Sequence, residues 1–518
     1  MSASREKKLR QELAASGTPD PKKVREAEER ANQRRSNMLY GAIAAIFVLV
    51  AVVVLVWNSN VIQRSATALT IDGQKYSAAQ VDYYYHSTYN SLRNNQYASY
   101  MSLASATDLT TATLTDLDKL VLGVSEDMTW DAYLKDTVTR NLTDITALTK
   151  AAKEANFTFT DEMQQDVNAT MDQIKEAAAS NGVSVGSYVK AVFGKNVTVS
   201  ALKDIFKAVT LASHFESSQE DSLTYSLEDL EKAYSENARQ YDVASYESIY
   251  FAGTAPSTTD ADGKTVAPTD EESAAAKAKA KEAADEALRR YQSGESLSAI
   301  AESIDIATYS SPTSATYASN VVGDWVFDEA RQAGDAAVVD NDPNQYLLVF
   351  HERDRNEYNT VDVRHILFLA DTSALDSSSE TYEKDLAVIK DTAKAKAEDA
   401  LSQWKAGEAT EESFAALANE LSEDPGSNTN GGLYREVYHR QMVDAFNDWI
   451  FDEARQVGDT GIVETDYGFH VMYFSGENIP YWQVQVRNAL RNADHTAWME
   501  SLTADLTAVE GPGMKYVG

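Results

Sequence analysis

The chain has 518 residues and no cysteine, so it is too long for one core, and neither disulfides nor thiolate chemistry can contribute. Its formal net charge of −34 is uneven: residues 1–37 carry +4 and the remainder −38. So acidic a bulk repels nucleic-acid phosphates and argues against nucleic acid as a partner, although most of the charge simply keeps a long surface solvated.

Met38 to Trp57 is a run of twenty residues without a charge. As a helix it is long enough to cross about 30 Å of hydrocarbon, and Trp57 suits the interface. Lys22, Lys23, Arg25, Arg30, Arg34 and Arg35 precede it, and only Arg64 follows closely. The positive-inside rule therefore makes residues 1–37 a basic cytoplasmic tail, 38–57 a single membrane anchor and 58–518 extracytoplasmic. A cleaved leader is the rival reading, with Ala66-Thr67-Ala68 as its small-x-small site, but the apolar run is long for a leader and an uncleaved anchor is expected. Without cysteine a lipoprotein anchor is excluded.

Ala68-Leu-Thr-Ile-Asp-Gly-Gln-Lys-Tyr-Ser77 reads as two short strands about an Asp72-Gly73 turn, and Ser77 can cap the helix that follows. This entry into an aromatic helix is similar to the N-terminal chaperone region of PrsA and SurA foldases. Helical spacing continues through Leu142, Ile145 and Leu148 and through Tyr188, Val189 and Val192, so 58–240 is expected to be a helical region. Its Tyr83, Tyr84 and Tyr85 read as core before they read as a binding surface.

An internal repeat follows. Asp324-Trp-Val-Phe-Asp-Glu-Ala-Arg-Gln-Ala-Gly-Asp335 matches Asp448-Trp-Ile-Phe-Asp-Glu-Ala-Arg-Gln-Val-Gly-Asp459, and Glu247-Ser-Ile-Tyr-Phe251 parallels Arg364-His-Ile-Leu-Phe368. Residues 241–355 and 359–478 are therefore expected to be two related units in tandem.

The second unit has the richer pattern. Strand-like Val361 to Phe368 contains His365; a helical run around Ala393 to Trp404 follows, then Phe414 to Asp424, Gly431-Gly432-Leu433, Gln441-Met442 with Phe446, and Thr465-Asp-Tyr-Gly-Phe-His470. In that order these signals resemble the parvulin family of peptidyl-prolyl cis/trans isomerases. The resemblance implies an α+β fold, with an antiparallel sheet and surrounding helices, and an isomerase that uses no cofactor and no metal. It makes Leu433, Met442 and Phe446 the proline pocket, with Phe469 or Tyr467 at its rim. His365, His470, Thr465 and Asp424 become its catalytic polar network, Asp424 standing where some relatives have cysteine. At the positions of His365, Asp424, Thr465 and His470 the first unit has Ser248, about Ala307, Asn341 and Tyr346, so 241–355 is expected to be a non-catalytic copy.

Each residue also has a plainer reading. A histidine on a strand is often a satisfied core residue, and Met442 and Phe446 would by themselves be plain core. His365, His439 and His470 lack a local metal-ligand spacing, and Ser422 lacks the G-x-S-x-G context of a hydrolase nucleophile. The insertion Ala370 to Glu380 is acidic, whereas phosphate-directed parvulins are basic there, so phosphoserine selection is not expected. Residues 479–518 have helical spacing from Val484 to Val509, and in PrsA-like foldases such a helix returns to the N-terminal region. Unfolded, proline-containing client polypeptides are the expected partners. A non-catalytic holdase or an envelope scaffold is the alternative.

Overall fold

The computed structural model of the chain describes residues 42–50, 60–260 and 263–518, with Lys7 and Met38. The expected anchor over 38–57 falls largely outside the described residues; its stretch 42–50 is helical and exposed. Among the described residues no helix is long and apolar enough to cross a membrane. The fold mixes helices with antiparallel sheets in two compact units, one ending at Leu223 and completed by His495–Gly518, the other Thr224–Asp494.

In the first unit β1 (Thr67–Ile71) and β2 (Gln74–Ser77) pair antiparallel. Asp72 and Gly73 turn between them with φ of 46° and 81°, the left-handed pair that a tight hairpin requires. Ser77 then forms a capping box with Gln80 at the start of α1 (Ala78–Arg93). Helices α2 (Trp130–Glu154), α3 (Asp161–Ser180) and α4 (Val199–Ser222) follow, each opened by a threonine whose hydroxyl accepts a backbone N–H of the first turn.

The second unit opens with α5 (Leu227–Glu236) and contains two four-stranded sheets. The first comprises β3 (Asp242–Phe251), β4 (Ala307–Thr316), β5 (Ala336–Asn341) and β6 (Asn344–Arg355), in the order β4-β3-β6-β5, with helices α6 (Asp270–Gln292), α7 (Leu297–Glu302) and α8 (Val321–Val326). The second comprises β7 (Asn359–Leu369), β8 (Leu433–Val437), β9 (Thr460–Thr465) and β10 (Gly468–Pro480), in the order β8-β7-β10-β9, with α9 (Tyr382–Ala406), α10 (Glu411–Leu421) and α11 (Asp444–Ile450). The order is the same in both. The repeated dodecapeptide is also built alike: Arg331 lies 4.0 Å from the Trp325 ring centre and Arg455 4.0 Å from that of Trp449, each donating from Nε to that tryptophan's carbonyl.

Strand alternation gives the second sheet two faces. Ile366, Phe368, Phe469, Val471 and Tyr473 point toward α9 and α10, where Ala393, Ala397 and Ala400 let the helix approach closely. Val361, Val363, Met472 and Phe474 point the other way, toward Phe446 and Ile450 of α11. The site lies on this second face.

Helix α12 (Tyr481–Thr503) starts directly after Pro480. Its first turns bury Trp482 and Val486 against Leu230 of α5, which is why the second unit begins at Thr224 and not after residue 240. Its last turns place Trp498, Met499 and Leu502 against Leu148, Ala152 and Phe215 of the first unit. The helix stops at Thr503, short of the expected Val509, because Ala508–Glu510 forms β11 and pairs with β1.

Candidate active site

His365 stands on β7 and His470 on the adjacent β10, where the register opposes His470 to Leu367 and His365 to Met472. The two histidines are thus diagonal neighbours on one face, with Nδ1 to Nδ1 at 2.9 Å and their rings stacked at 5.2 Å. The loop after α10 brings the carboxylate to them. Gly432 lies so close to β7 that a Cβ there would stand 2.1 Å from the His365 carbonyl oxygen, and its φ of +69° is left-handed. This lets the Gly432 carbonyl accept the His365 N–H at 2.8 Å and folds the preceding loop over the His365 ring.

Asp424 is then saturated with donors. Its Oδ2 meets His365 Nε2 at 2.8 Å, Ser427 Oγ at 2.5 Å and Tyr434 Oη at 2.9 Å, and its Oδ1 accepts the Gly426 N–H at 3.0 Å. The His365 bond, backed by the others and opposed by burial, holds the carboxyl well below the usual carboxylate range. Tyr434 is pushed up to about 12 by burial and by that carboxylate. Burial, and after it the neighbouring His365, pushes His470 down to about 4, so its ring is neutral at pH 7.

These partners fix a direction for the protons. An ionised carboxylate only accepts, so His365 donates from Nε2; in the neutral pair its Nδ1 then accepts from His470 Nδ1–H. His470 Nε2 is left as an acceptor for the Thr465 hydroxyl, 2.8 Å away. Thr465 Oγ1 in turn accepts the Tyr467 N–H at 3.2 Å. The array is a one-way chain from Thr465 through both imidazoles to Asp424.

Beside it opens a cavity of about 390 Å³. Met442, Phe446, Leu367, Leu369 and Tyr467 supply its apolar lining, and His365, His470, Asp424 and Tyr434 its polar side. Phe446 is buried and presents its ring at about a right angle to both imidazoles, with centroids 5.5 Å apart in each case.

The structure therefore gathers His365, His470, Asp424 and Thr465 into one network and places Met442, Phe446 and Tyr467 on the cavity. Leu433 and Phe469 do not line it. Leu433 pairs with Arg364 and so shares the opposite face, and Phe469 is buried in the cluster beneath α9 and α10. Met442 precedes α11 and so reaches the cavity from a loop, whereas Phe446 reaches it from the helix. Ser422 accepts the Leu367 N–H and staples the loop. His439 stacks on Phe451 at 3.8 Å, away from the site.

Sequence reasoning missed Ser427 and Tyr434. Tyr434 was within reach of it: opposite Val363, it must share the face of His365. Ser427 sits in a loop with no periodicity to report it. Among the described residues no group of three or more His, Asp or Glu is arranged to hold a metal ion.

Comparison with known proteins bears on residues 346–477, which match the family model of the PPIC-type PPIase domain. No curated protein matches the chain. Among solved structures, the chain is similar to the peptidylprolyl isomerase PrsA of Bacillus anthracis at 15% identity and a TM-score of 0.18, over 29% of this chain and 58% of that one. It is similar to PrsA of Bacillus subtilis at 14% identity and a TM-score of 0.28, over 73% of this chain and 89% of that one. A SurA-like chaperone of Campylobacter jejuni matches at 13% identity and a TM-score of 0.17, over 85% and 96% of the two chains. The ordered motifs from Val361 to His470 lie inside the matched residues, and the chain carries, within residues 346–477, a parvulin-type (PPIC-type) peptidyl-prolyl cis/trans isomerase domain.

Proposed function

We propose that the chain is an extracytoplasmic foldase that isomerises Xaa-Pro bonds in unfolded secreted or envelope proteins, held at the membrane by residues 38–57 with its N-terminus in the cytoplasm. The observation that carries the catalytic part is the juxtaposition of the His365–His470–Asp424 array with an apolar cavity wide enough for a five-membered ring.

Rotation about an Xaa-Pro bond faces a barrier of roughly 18–20 kcal/mol because the amide must give up its resonance. No nucleophile, metal or cofactor is needed for that. The pyrrolidine ring seats against Met442 and Phe446, and the low-dielectric wall disfavours the charge-separated planar amide more than the twisted one. The fixed dipoles of the imidazole chain and the Asp424 charge act on the twisting bond electrostatically, without a covalent intermediate. Residues 241–355 act as the non-catalytic copy: in the same strand frame Ser248, Tyr346 and Asn341 occupy the places of His365, His470 and Thr465.

The test is a proline-limited refolding reaction with the purified chain. Acceleration that disappears in the double variant His470→Ala, Asp424→Ala supports the reading. No acceleration, or acceleration indifferent to those substitutions, rejects catalysis and leaves a holdase that slows aggregation without changing the isomerisation rate.

A further inference from the structure

The first unit contains a cavity of about 960 Å³ between α1, α2, α4 and the last turns of α12. Its wall is aromatic and aliphatic, with Tyr83, Tyr84, Tyr133, Ile145, Leu148 and Met499. Of the three tyrosines that read as core, only Tyr85 is fully buried; Tyr83 and Tyr84 meet edge to face at 5.0 Å and face the cavity.

The charge on this wall is one-sided. Asp144, Glu216 and Glu500 line the cavity, and among the described residues no lysine or arginine does. The one basic side chain, His495, is held between Glu216 at 2.8 Å and Glu220 at 3.4 Å. Among the described residues Asp144 has no side-chain hydrogen-bond or ion-pair partner. The guanidinium that acts on it, Arg140, is itself bound to Asp136 at 3.2 Å. Burial and the Glu216 carboxylate raise the proton affinity of half-buried Asp144, and the Arg140 charge offsets this only in part.

We infer that this cavity binds a polypeptide segment in which a lysine or arginine stands among apolar side chains. The apolar wall takes the flanking side chains and the stem of the basic one. Asp144 and Glu216 take its charge, and the tyrosine rings beside them add a cation–π surface. An apolar wall alone would accept any greasy segment. The carboxylates on the wall select the cationic ones. The inference rests on the reading of the chain as a client-binding foldase and adds to it the chemistry of the segment that is held.

The test uses the whole purified chain and two fluorescein-labelled, proline-free peptides of alternating leucine and tyrosine, one carrying two lysines and the other two glutamates. The lysine peptide is expected to bind at least tenfold more tightly by anisotropy, and to weaken as salt is raised. The near-isosteric variant Asp144→Asn, Glu216→Gln is expected to remove that preference and to leave kcat/KM on an Xaa-Pro peptide unchanged. Because the chain has no cysteine, Ser213→Cys in the cavity lining offers a single labelling position, and quenching of its dye by a nitroxide on the lysine peptide locates the ligand without disturbing the carboxylates. Equal binding of the two peptides, a preference that survives in the double variant, or no quenching overturns the inference. If the chain still accelerates the proline-limited refolding reaction in those cases, the foldase reading stands alone; if neither peptide binds and refolding is not accelerated, both fall.

Discussion

Replacing Asp424 by asparagine keeps the shape of the side chain and removes the one group on which four donors converge. Three hydrogens point at Oδ2 and the Gly426 amide points at Oδ1. An amide has a single acceptor oxygen, so in Asp424→Asn either the Gly426 N–H or the three side-chain donors face an NH2 group. A hydrogen bond to a charged group is worth about 1.5–3 kcal/mol, and a donor left unsatisfied costs a comparable amount. The side chain is 15% exposed, so water relieves part of this, and about 2 kcal/mol is expected for the opening of the loop over β7. Hydrogen exchange at residues 361–369 and 430–437 should then be about 30-fold faster at pH 7. Turnover on an Xaa-Pro peptide should fall by tenfold to about a hundredfold with KM little changed, because the apolar lining is untouched. The sign of the pH dependence follows from the depressed carboxyl: its contribution is complete above the ordinary value of 3.8 and is lost only as pH falls through the lower folded value, so the exchange difference should persist at pH 5. Equal exchange and equal turnover in the two proteins would refute the reasoning, since the carboxylate would then anchor neither the loop nor the reaction.

Other substitutions separate pocket from network. Phe446→Ala should raise KM for Xaa-Pro peptides and destabilise the domain by about 3–5 kcal/mol, seen as earlier thermal unfolding, whereas the partly exposed Met442→Ala should raise KM at a smaller stability cost. Tyr434→Phe keeps the ring beside His365 and removes one donor to Asp424; it should lower kcat severalfold with no loss of fold by circular dichroism. Between pH 6.5 and about 4 the unfolded chain takes up a proton that buried His470 refuses, so the folded state should weaken as pH falls through that window, by roughly 3 kcal/mol. NMR of histidine-labelled chain checks this, and a His470 ring titrating near 6.5 would contradict it. Gly432→Ala should break the β7–β8 junction and cost more than about 2 kcal/mol, since both the left-handed φ and the His365 carbonyl forbid a methyl group.

Local signals in the sequence carried further than facing did. Asp72-Gly73 and Ser77 announce structure within a few residues of themselves, and they form the turn and the cap that their chemistry favours; the repeated dodecapeptide is built alike in its two copies. The ordered motifs of the second sheet likewise led to His365, His470, Asp424 and Thr465. Which way a strand residue points depends on register, which is set by a partner far along the chain. That is why Leu433 and Phe469, each next to a residue that lines the cavity, point to the other face. The helical spacing that reaches Val509 misleads for a related reason: its strand forms because β1 offers an edge to pair with.

The first unit is discontinuous, and this sets the order in which the molecule can be finished. Leu69, Ile71 and Tyr85 share their core with Met514 and Val517, and β1 gains its second neighbour only from Ala508–Glu510. Synthesis from the N-terminus therefore leaves the helical body with an unpaired edge and a gap in its hydrophobic interior until the whole of Thr224–Asp494 has been made. A nascent chain broken anywhere inside the isomerase portion keeps that raw edge, so damage in one half leaves an aggregation-prone, protease-sensitive mark on the other.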